Sequence, residues 1–176
     1  MKRCNIPDIN TKEYWDSHQT SINDFGLRQQ KYLELAGEGF SIIEVGCGLS
    51  AFLNGTLEKF SLSLGLDYSP KTIERAKELY PKVVYMEADA NDLPDMPVFD
   101  VVVAGEVIEH LQDPDKFLKD LEKIGRKVIV STPILEFKDP EHLWEFDENY
   151  FIKKGYKTEV VHSDRFKGRS YIFATK

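Results

Sequence analysis

Glu106-Val107-Ile108-Glu109-His110 places two carboxylates and an imidazole in one short run. Folded as a helical turn, the run sets positions 106, 109 and 110 on one face, because residues three and four apart are neighbours on a helix. A free imidazole titrates at about pH 6.5, so His110, with Glu109 beside it, can take a proton from a hydroxyl or an amine at neutral pH. The same groups suit a divalent metal. Glu106, Glu109 and His110, joined by His142 from Pro140-Glu141-His142-Leu143-Trp144, form a four-ligand set of mixed oxygen and nitrogen donors. A third use of His110 is to bond nearby backbone and orient its neighbours. The run by itself leaves all three open.

Such chemistry needs a bound ligand, and Glu44-Val45-Gly46-Cys47-Gly48-Leu49-Ser50 reads as the place that holds one. The apolar run Phe40 to Val45 meets glycines at 46 and 48. A buried strand that ends in a glycine turn lets backbone approach a ligand that a Cβ would keep away. About 20 residues on, Asp67 ends a second apolar run, Leu62 to Leu66, where a carboxylate can accept from both hydroxyls of a ribose. A nucleotide-like cofactor follows. Gly46, Gly48 and Ala51 also satisfy the G-x-G-x-x-A form of a dinucleotide turn, so an NAD-dependent enzyme is one reading.

The elements that must position these groups are an α/β set. Apolar runs at 40–45, 61–66, 82–86, 98–104 and 126–131 alternate with amphipathic stretches, the pattern of a doubly wound parallel sheet covered on both faces, three layers αβα. Ser69-Pro70 starts a helix with Ile73, Ala76, Leu79 and Tyr80 on one face; Asp113-Pro114 starts another with Phe117, Leu118, Leu121 and Ile124, closed by Gly125. Tyr156 to His162 and Ser170 to Thr175 are joined by a polar loop, Ser163 to Arg169, too short for a helical crossover, so they pair as an antiparallel hairpin. Five parallel strands and this C-terminal hairpin give a Rossmann-like, seven-strand mixed sheet, unlike the all-parallel sheet of a dinucleotide-binding domain. Residues 1–39 form an N-terminal arm, with a helical segment near Leu27 to Leu35, ahead of a single domain over 40–176. The loop after Ser131-Thr132-Pro133 sits at the ligand end of the sheet. Its Phe137, Leu143, Trp144 and Phe146 suit either an acceptor pocket or core packing beneath a short helix at Asn149 to Lys153.

The chain has 176 residues, 41% of them hydrophobic and 12% aromatic, enough for one sizeable core. A net charge of -7 provides no general positive field for a phosphate backbone, so nucleic acid is not the expected partner. Arg165, Lys167 and Arg169 make a small basic cluster that reads as a solvated loop. Cys4 and Cys47 are the two cysteines, and with Cys47 inside the glycine turn they imply no disulfide framework and a reducing, cytoplasmic setting. No apolar run nears the roughly 20 residues needed to span a bilayer, and MKRCNIPDIN has no signal-peptide core.

Four motifs in order resemble the class I S-adenosylmethionine-dependent methyltransferases, over nearly the whole chain. They are Glu44 to Ser50, Gly65-Leu66-Asp67-Tyr68-Ser69-Pro70, Glu87-Ala88-Asp89-Ala90, and Phe99-Asp100-Val101-Val102-Val103-Ala104-Gly105-Glu106. The resemblance implies S-adenosylmethionine as cofactor and S-adenosylhomocysteine as product. It implies that Glu44, Gly46, Cys47 and Gly48 receive the methionine and ribose portions, Asp67 and Tyr68 the ribose, Asp89 and Ala90 the adenine, and Glu106 the methionine end. Tyr14 and Trp15 would cover the cofactor from the arm, and His142 and Trp144 would touch the acceptor. Ser50 stands where the family commonly has a third glycine.

The Glu-Val-x-Glu-His run is similar to one in ubiquinone-biosynthesis O-methyltransferases, which implies transfer to oxygen or nitrogen of a small molecule. It is also similar to the RNA 3′-terminal 2′-O-methyltransferases, in which Glu-x-x-Glu-His and a later histidine hold a divalent ion. That implies a metal-dependent alternative through Glu106, Glu109, His110 and His142. A protein that holds the cofactor without transferring its methyl is a further alternative.

Overall fold

Ile42, Ile43, Val45, Leu66, Val102, Val103, Ile129 and Val130 are almost wholly buried, as central strands covered on both faces must be. The computed structural model describes residues 1–18, 26–134, 140–162 and 169–176. Phe137, Arg165, Lys167 and most of the hairpin loop lie outside the described residues. In chain order the elements are β1 (Lys2–Arg3), α1 (Lys12–Ser17), α2 (Leu27–Ala36), β2 (Gly39–Val45), α3 (Ala51–Thr56), β3 (Phe60–Asp67), α4 (Pro70–Leu79) and β4 (Val84–Glu87). Then come β5 (Phe99–Gly105), a 3₁₀ turn (Ile108–His110), α5 (Pro114–Ile124), β6 (Gly125–Ile134), β7 (Trp144–Glu145), α6 (Glu148–Ile152), β8 (Lys157–His162) and β9 (Ser170–Thr175).

The main sheet has seven strands in the order β4-β3-β2-β5-β6-β9-β8. Strands β4, β3, β2, β5 and β6 run parallel, while β9 is antiparallel to both β6 and β8. The expected seven-strand mixed sheet with a C-terminal hairpin is therefore the observed one. Between β2 and β5 the strand order reverses, which opens a crevice beyond their carboxyl ends.

Local signals set the helices that flank this crevice. In α4 the Ser69 hydroxyl accepts from Thr72 N at 3.1 Å and Pro70 takes the first turn. Tyr80, expected on its apolar face, instead lies past its end at φ -134°, because Pro81 disfavours the helical conformation in the residue before it. In α5 Asp113 accepts from Lys116 N at 2.9 Å, and Phe117, Leu118, Leu121 and Ile124 are buried, about 1.5–3 kcal/mol for each large side chain. Gly125 differs from expectation. It is extended, at φ -129°, and opens β6 directly; a Cβ there would meet Val102 Cγ2 at 2.6 Å, so the glycine serves close strand packing rather than a cap. Strand β6 runs three residues past 131, through Pro133. Its pairing with the parallel strand β5 ends at Ser131, so Pro133, paired with Tyr171 of β9 on one side, has an open side that tolerates a missing N–H.

One connection has no counterpart in the periodicity. β1 pairs antiparallel with β7, Lys2 opposite Glu145 and Arg3 opposite Trp144, so the start of the arm is sewn to the segment that follows β6.

Candidate active site

At the end of β2 the chain turns through Gly46 at φ +71° and Gly48 at φ +51°. A Cβ on Gly46 would run into the Val107 side chain, so only glycine fits between the two loops. Ser50 completes the turn at φ +58° and precedes α3. It adopts the left-handed conformation that glycine takes freely, which explains why a third glycine is usual there.

Asp67, the last residue of β3, staples this turn. Its Oδ2 accepts from Gly48 N at 2.9 Å and its Oδ1 from Ser69 N at 2.9 Å, leaving each oxygen further lone pairs for a ligand. Burial raises its pKa against the pull of these backbone donors. Glu44 is buried beside it. Burial, then the Asp67 charge, pushes the Glu44 carboxyl well above its ordinary range, and its Oε2 has no hydrogen-bond partner among the described residues.

These groups line a cavity of about 320 Å³ at the carboxyl ends of β2, β3 and β5. Of the residues expected to hold the cofactor, Trp15, Glu44, Gly46, Cys47, Gly48, Asp67, Tyr68, Asp89, Ala90 and Glu106 are on its wall. Asp89 is already braced, accepting from Asn91 N at 2.8 Å. Tyr14 is placed elsewhere. Its ring stacks on His18 at 3.9 Å and meets Trp15 edge-on at 5.2 Å, while its hydroxyl donates to the Glu141 carboxylate.

The run from Glu106 to His110 departs from the expected single helical face. Glu106 sits at φ +59°, and this left-handed residue turns its side chain away from the 3₁₀ turn that follows. Glu106 Oε2 pairs with Arg28 Nη1 at 3.0 Å, and its Oε1 accepts from Ser131 Oγ at 2.8 Å. Glu109 points inward and is fully buried; neither carboxylate oxygen has a hydrogen-bond partner among the described residues. Burial, reinforced by the Glu106 charge, holds its carboxyl well above the ordinary range.

His110 reaches the cavity wall. Its Nδ1 lies 3.0 Å from Glu141 O and its Nε2 lies 4.0 Å from Glu109 Oε1. A carbonyl only accepts, so in the neutral ring Nδ1 carries the hydrogen and Nε2 the lone pair. His142 packs against it with ring centroids 4.8 Å apart. Of the four expected metal ligands, Glu109, His110 and His142 converge, with one donor atom from each within 4.8 Å of the others; Glu106 does not join them.

Trp144 is not on the cavity wall. Its indole N–H donates to Leu111 O at 2.7 Å, and its ring packs on the core under the Arg3 guanidinium. Leu143 and Phe146 are core residues as well. Conversely, Arg28 and Tyr32 line the cavity though no motif marks them. Four apart on α2, they face the sheet together, and the Tyr32 hydroxyl meets Ser131 Oγ. That spacing, with one cation on an otherwise inward face, is the only trace they leave in the sequence.

Residues 43–127 match the family described as "Methyltransferase domain". That matched segment is a methyltransferase domain, and the relatives that resemble the chain are S-adenosylmethionine-dependent methyltransferases. It is 30% identical over 135 residues, 73% of its length, to a probable S-adenosylmethionine-dependent methyltransferase of Mycobacterium tuberculosis, and covers 46% of that protein. It is 31% identical over 111 residues to the ubiquinone biosynthesis O-methyltransferase of Pelagibacter ubique, which spans 60% of this chain and 45% of the relative. The chain thus spans about half the length of the curated relatives it matches. In fold it is similar to the N-methyltransferase NodS of Bradyrhizobium japonicum, solved with S-adenosyl-l-homocysteine, at a TM-score of 0.72 and 16% identity over 93% of this chain and 94% of that one.

The domain match sets aside the nicotinamide reading of the glycine turn, and S-adenosylmethionine is the cofactor of the relatives it resembles. The methyltransferase's own residues fit it: a glycine cradle that a Cβ would close, a ribose-type carboxylate at Asp67, and a buried unpartnered acid at Glu44 that a cationic ammonium would satisfy. Among the described residues no helix is long and apolar enough to cross a membrane.

Proposed function

We propose that this methyltransferase moves a methyl group to oxygen or nitrogen of a small molecule. The observation that carries the reading is His110 on the wall of the same cavity that Glu44, Gly46, Gly48 and Asp67 line, with its basic Nε2 defined by the bond at Nδ1. Bound S-adenosylmethionine supplies a methyl on a sulfonium that is already a good leaving group, so alignment is the main demand on the protein. In this reading Asp67 holds the ribose hydroxyls, Asp89 the adenine amine, Glu44 the ammonium and Arg28 the carboxylate of the methionine portion. His110 accepts the proton an alcohol, phenol or amine must lose, and Trp15 excludes water from above. Both cysteines are free, which suits a reducing cytoplasm.

Calorimetry with S-adenosylhomocysteine, followed by transfer of labelled methyl to a panel of phenols, alcohols and amines, tests the proposal. Saturable binding and label on at least one acceptor, lost in His110→Ala, is the expected result. Binding without label on any acceptor would make the chain a cofactor-holding protein instead.

A metal-dependent reading is favoured by one observation, the convergence of Glu109, His110 and His142. There the three groups would hold a divalent ion, which could bind vicinal hydroxyls such as those of an RNA 3′ end. Activity that survives a chelator and ignores added Mn²⁺ excludes it.

A further inference from the structure

Three pieces of chain far apart in sequence meet at Glu141. Its carbonyl oxygen accepts from Asn10 Nδ2 at 3.0 Å and lies 3.0 Å from His110 Nδ1. Its carboxylate accepts from the Tyr14 hydroxyl. Neighbouring backbone extends the clamp: Cys4 N donates to Leu143 O at 2.8 Å, and Leu143 N donates to Glu109 O at 2.8 Å. The strip from Glu141 to Glu145 is thereby held between the N-terminal arm and the turn that carries His110. Trp15, next to Tyr14, sets its ring at right angles to the His110 imidazole, centroids 5.1 Å apart.

We propose that Glu141 is a positioning residue that makes docking of the N-terminal arm and orientation of His110 a single event. The proposal rests on the reading that His110 faces the methyl acceptor. The Glu141 carbonyl keeps the imidazole hydrogen on Nδ1 and so the lone pair on Nε2. The Glu141 carboxylate fastens Tyr14, which keeps Trp15 against the same ring. One carbonyl serves both Asn10 and His110, so the arm and the imidazole share a support. Lifting the arm removes Asn10, Tyr14 and Trp15 from this cluster together. Asn10 and Trp15 also line the cofactor cavity. The base is therefore set only while the arm covers that cavity, which confines proton removal to the closed state, as lids do in other enzymes.

The test uses ¹⁵N-labelled histidine and NMR on the full chain without ligand, in alkaline buffer where the imidazoles are neutral. The four histidines are assigned with a His110→Gln control. Wild type should show His110 as the single Nδ1–H tautomer. Glu141→Ala and Tyr14→Phe should each give a mixture of tautomers and release S-adenosylhomocysteine about fivefold faster or more, the worth of about one hydrogen bond. Glu141→Gln, whose amide oxygen still accepts from Tyr14, should keep the wild-type tautomer. An unchanged tautomer in both Glu141→Ala and Tyr14→Phe overturns the proposal. If Glu141→Ala fails to fold, Tyr14→Phe, which loses only a hydroxyl, decides alone. Failure of wild type to bind S-adenosylhomocysteine would sink the cofactor reading, while the tautomer of the ligand-free protein would still decide the role of Glu141.

Discussion

Arg28 Nη1 stands 3.0 Å from Glu106 Oε2, joining α2 to the turn beyond β5 on the wall of the cavity. The guanidinium also lies over the Tyr171 ring, 4.9 Å from its centroid, so its place is fixed from two sides. Among the described residues it is the one Lys or Arg on the cavity wall, where Glu44, Asp67, Asp89 and Glu106 are the acids. Arg28→Ala should weaken S-adenosylhomocysteine binding by about 1.5–3 kcal/mol through the lost charge-assisted bond to the ligand carboxylate. Arg28→Lys should recover only part, because an ammonium cannot reproduce the planar fork. Calorimetry on the two variants checks this, and equal affinity in both and in wild type would remove Arg28 from the site.

Asp67→Ala is expected to cost about 1.5–3 kcal/mol in binding of the same ligand. It should also cost stability, because Gly48 N and Ser69 N lose their shared acceptor. Asp67→Asn keeps one acceptor oxygen and should fall between. Affinity unchanged in a folded Asp67→Ala protein would mean that the ribose is bound elsewhere.

What could be read from sequence was what local chemistry decides. Ser69-Pro70 and Asp113-Pro114 start helices by capping bonds that span three residues, and the buried runs at β2, β3, β5 and β6 are contiguous. Asp67 was legible because its distance from the glycine turn is fixed by one crossover unit. The conformation of Glu106 was not, since a left-handed residue outside glycine carries no sequence mark and it breaks the helical face drawn through Glu109 and His110. Trp144 and Arg28 depend on contacts across more than 30 residues. The indole is claimed by Leu111 and the guanidinium by Glu106 before any acceptor or cofactor is considered.

The Glu44 carboxyl gives a pH dependence of definite sign. Its folded pKa lies well above the ordinary 4.5, so between those two values the folded protein binds more protons than the unfolded chain. Stability contributed by this group is therefore full below pH 4.5 and is lost as pH rises toward the folded pKa. Glu44→Gln, which cannot ionise, should be more stable than wild type above that window and bind S-adenosylhomocysteine less well. Urea unfolding across pH 4–8, taken as an order-of-magnitude range for such linkage, reads the first effect. Wild type and variant with parallel stability curves would contradict it.

The trio Glu109, His110 and His142 makes a separate prediction for metal. A divalent ion bound to the folded state alone should stabilise it by about 2.7 kcal/mol at a hundredfold excess over Kd. On the metal-dependent reading, Mn²⁺ should then raise Tm in wild type and in Glu106→Gln, whose side chain stands apart, but not in His142→Ala. No shift in wild type would leave His110 its role as base alone.

The glycine turn offers the sharpest structural test, because two neighbouring positions should respond in opposite directions. Ser50 holds φ +58°, a conformation that costs an L-residue about 1–2 kcal/mol and glycine almost nothing. Glycine in turn loses about 0.5–1 kcal/mol through the greater freedom of the unfolded chain. Ser50→Gly should therefore leave a net gain of about 0–1.5 kcal/mol, the difference of those two effects. Gly46→Ala should lose stability, since the new methyl meets Val107 and the backbone stays at φ +71°. The same loss should appear in cofactor affinity, because Val107 and Gly46 wall the cavity together. Relief of the clash by Val107→Ala in the Gly46→Ala background separates the steric part from the conformational part. Thermal unfolding of the four proteins reads both signs, and a stable Gly46→Ala variant with unaltered ligand affinity would show that the turn does not approach the cofactor.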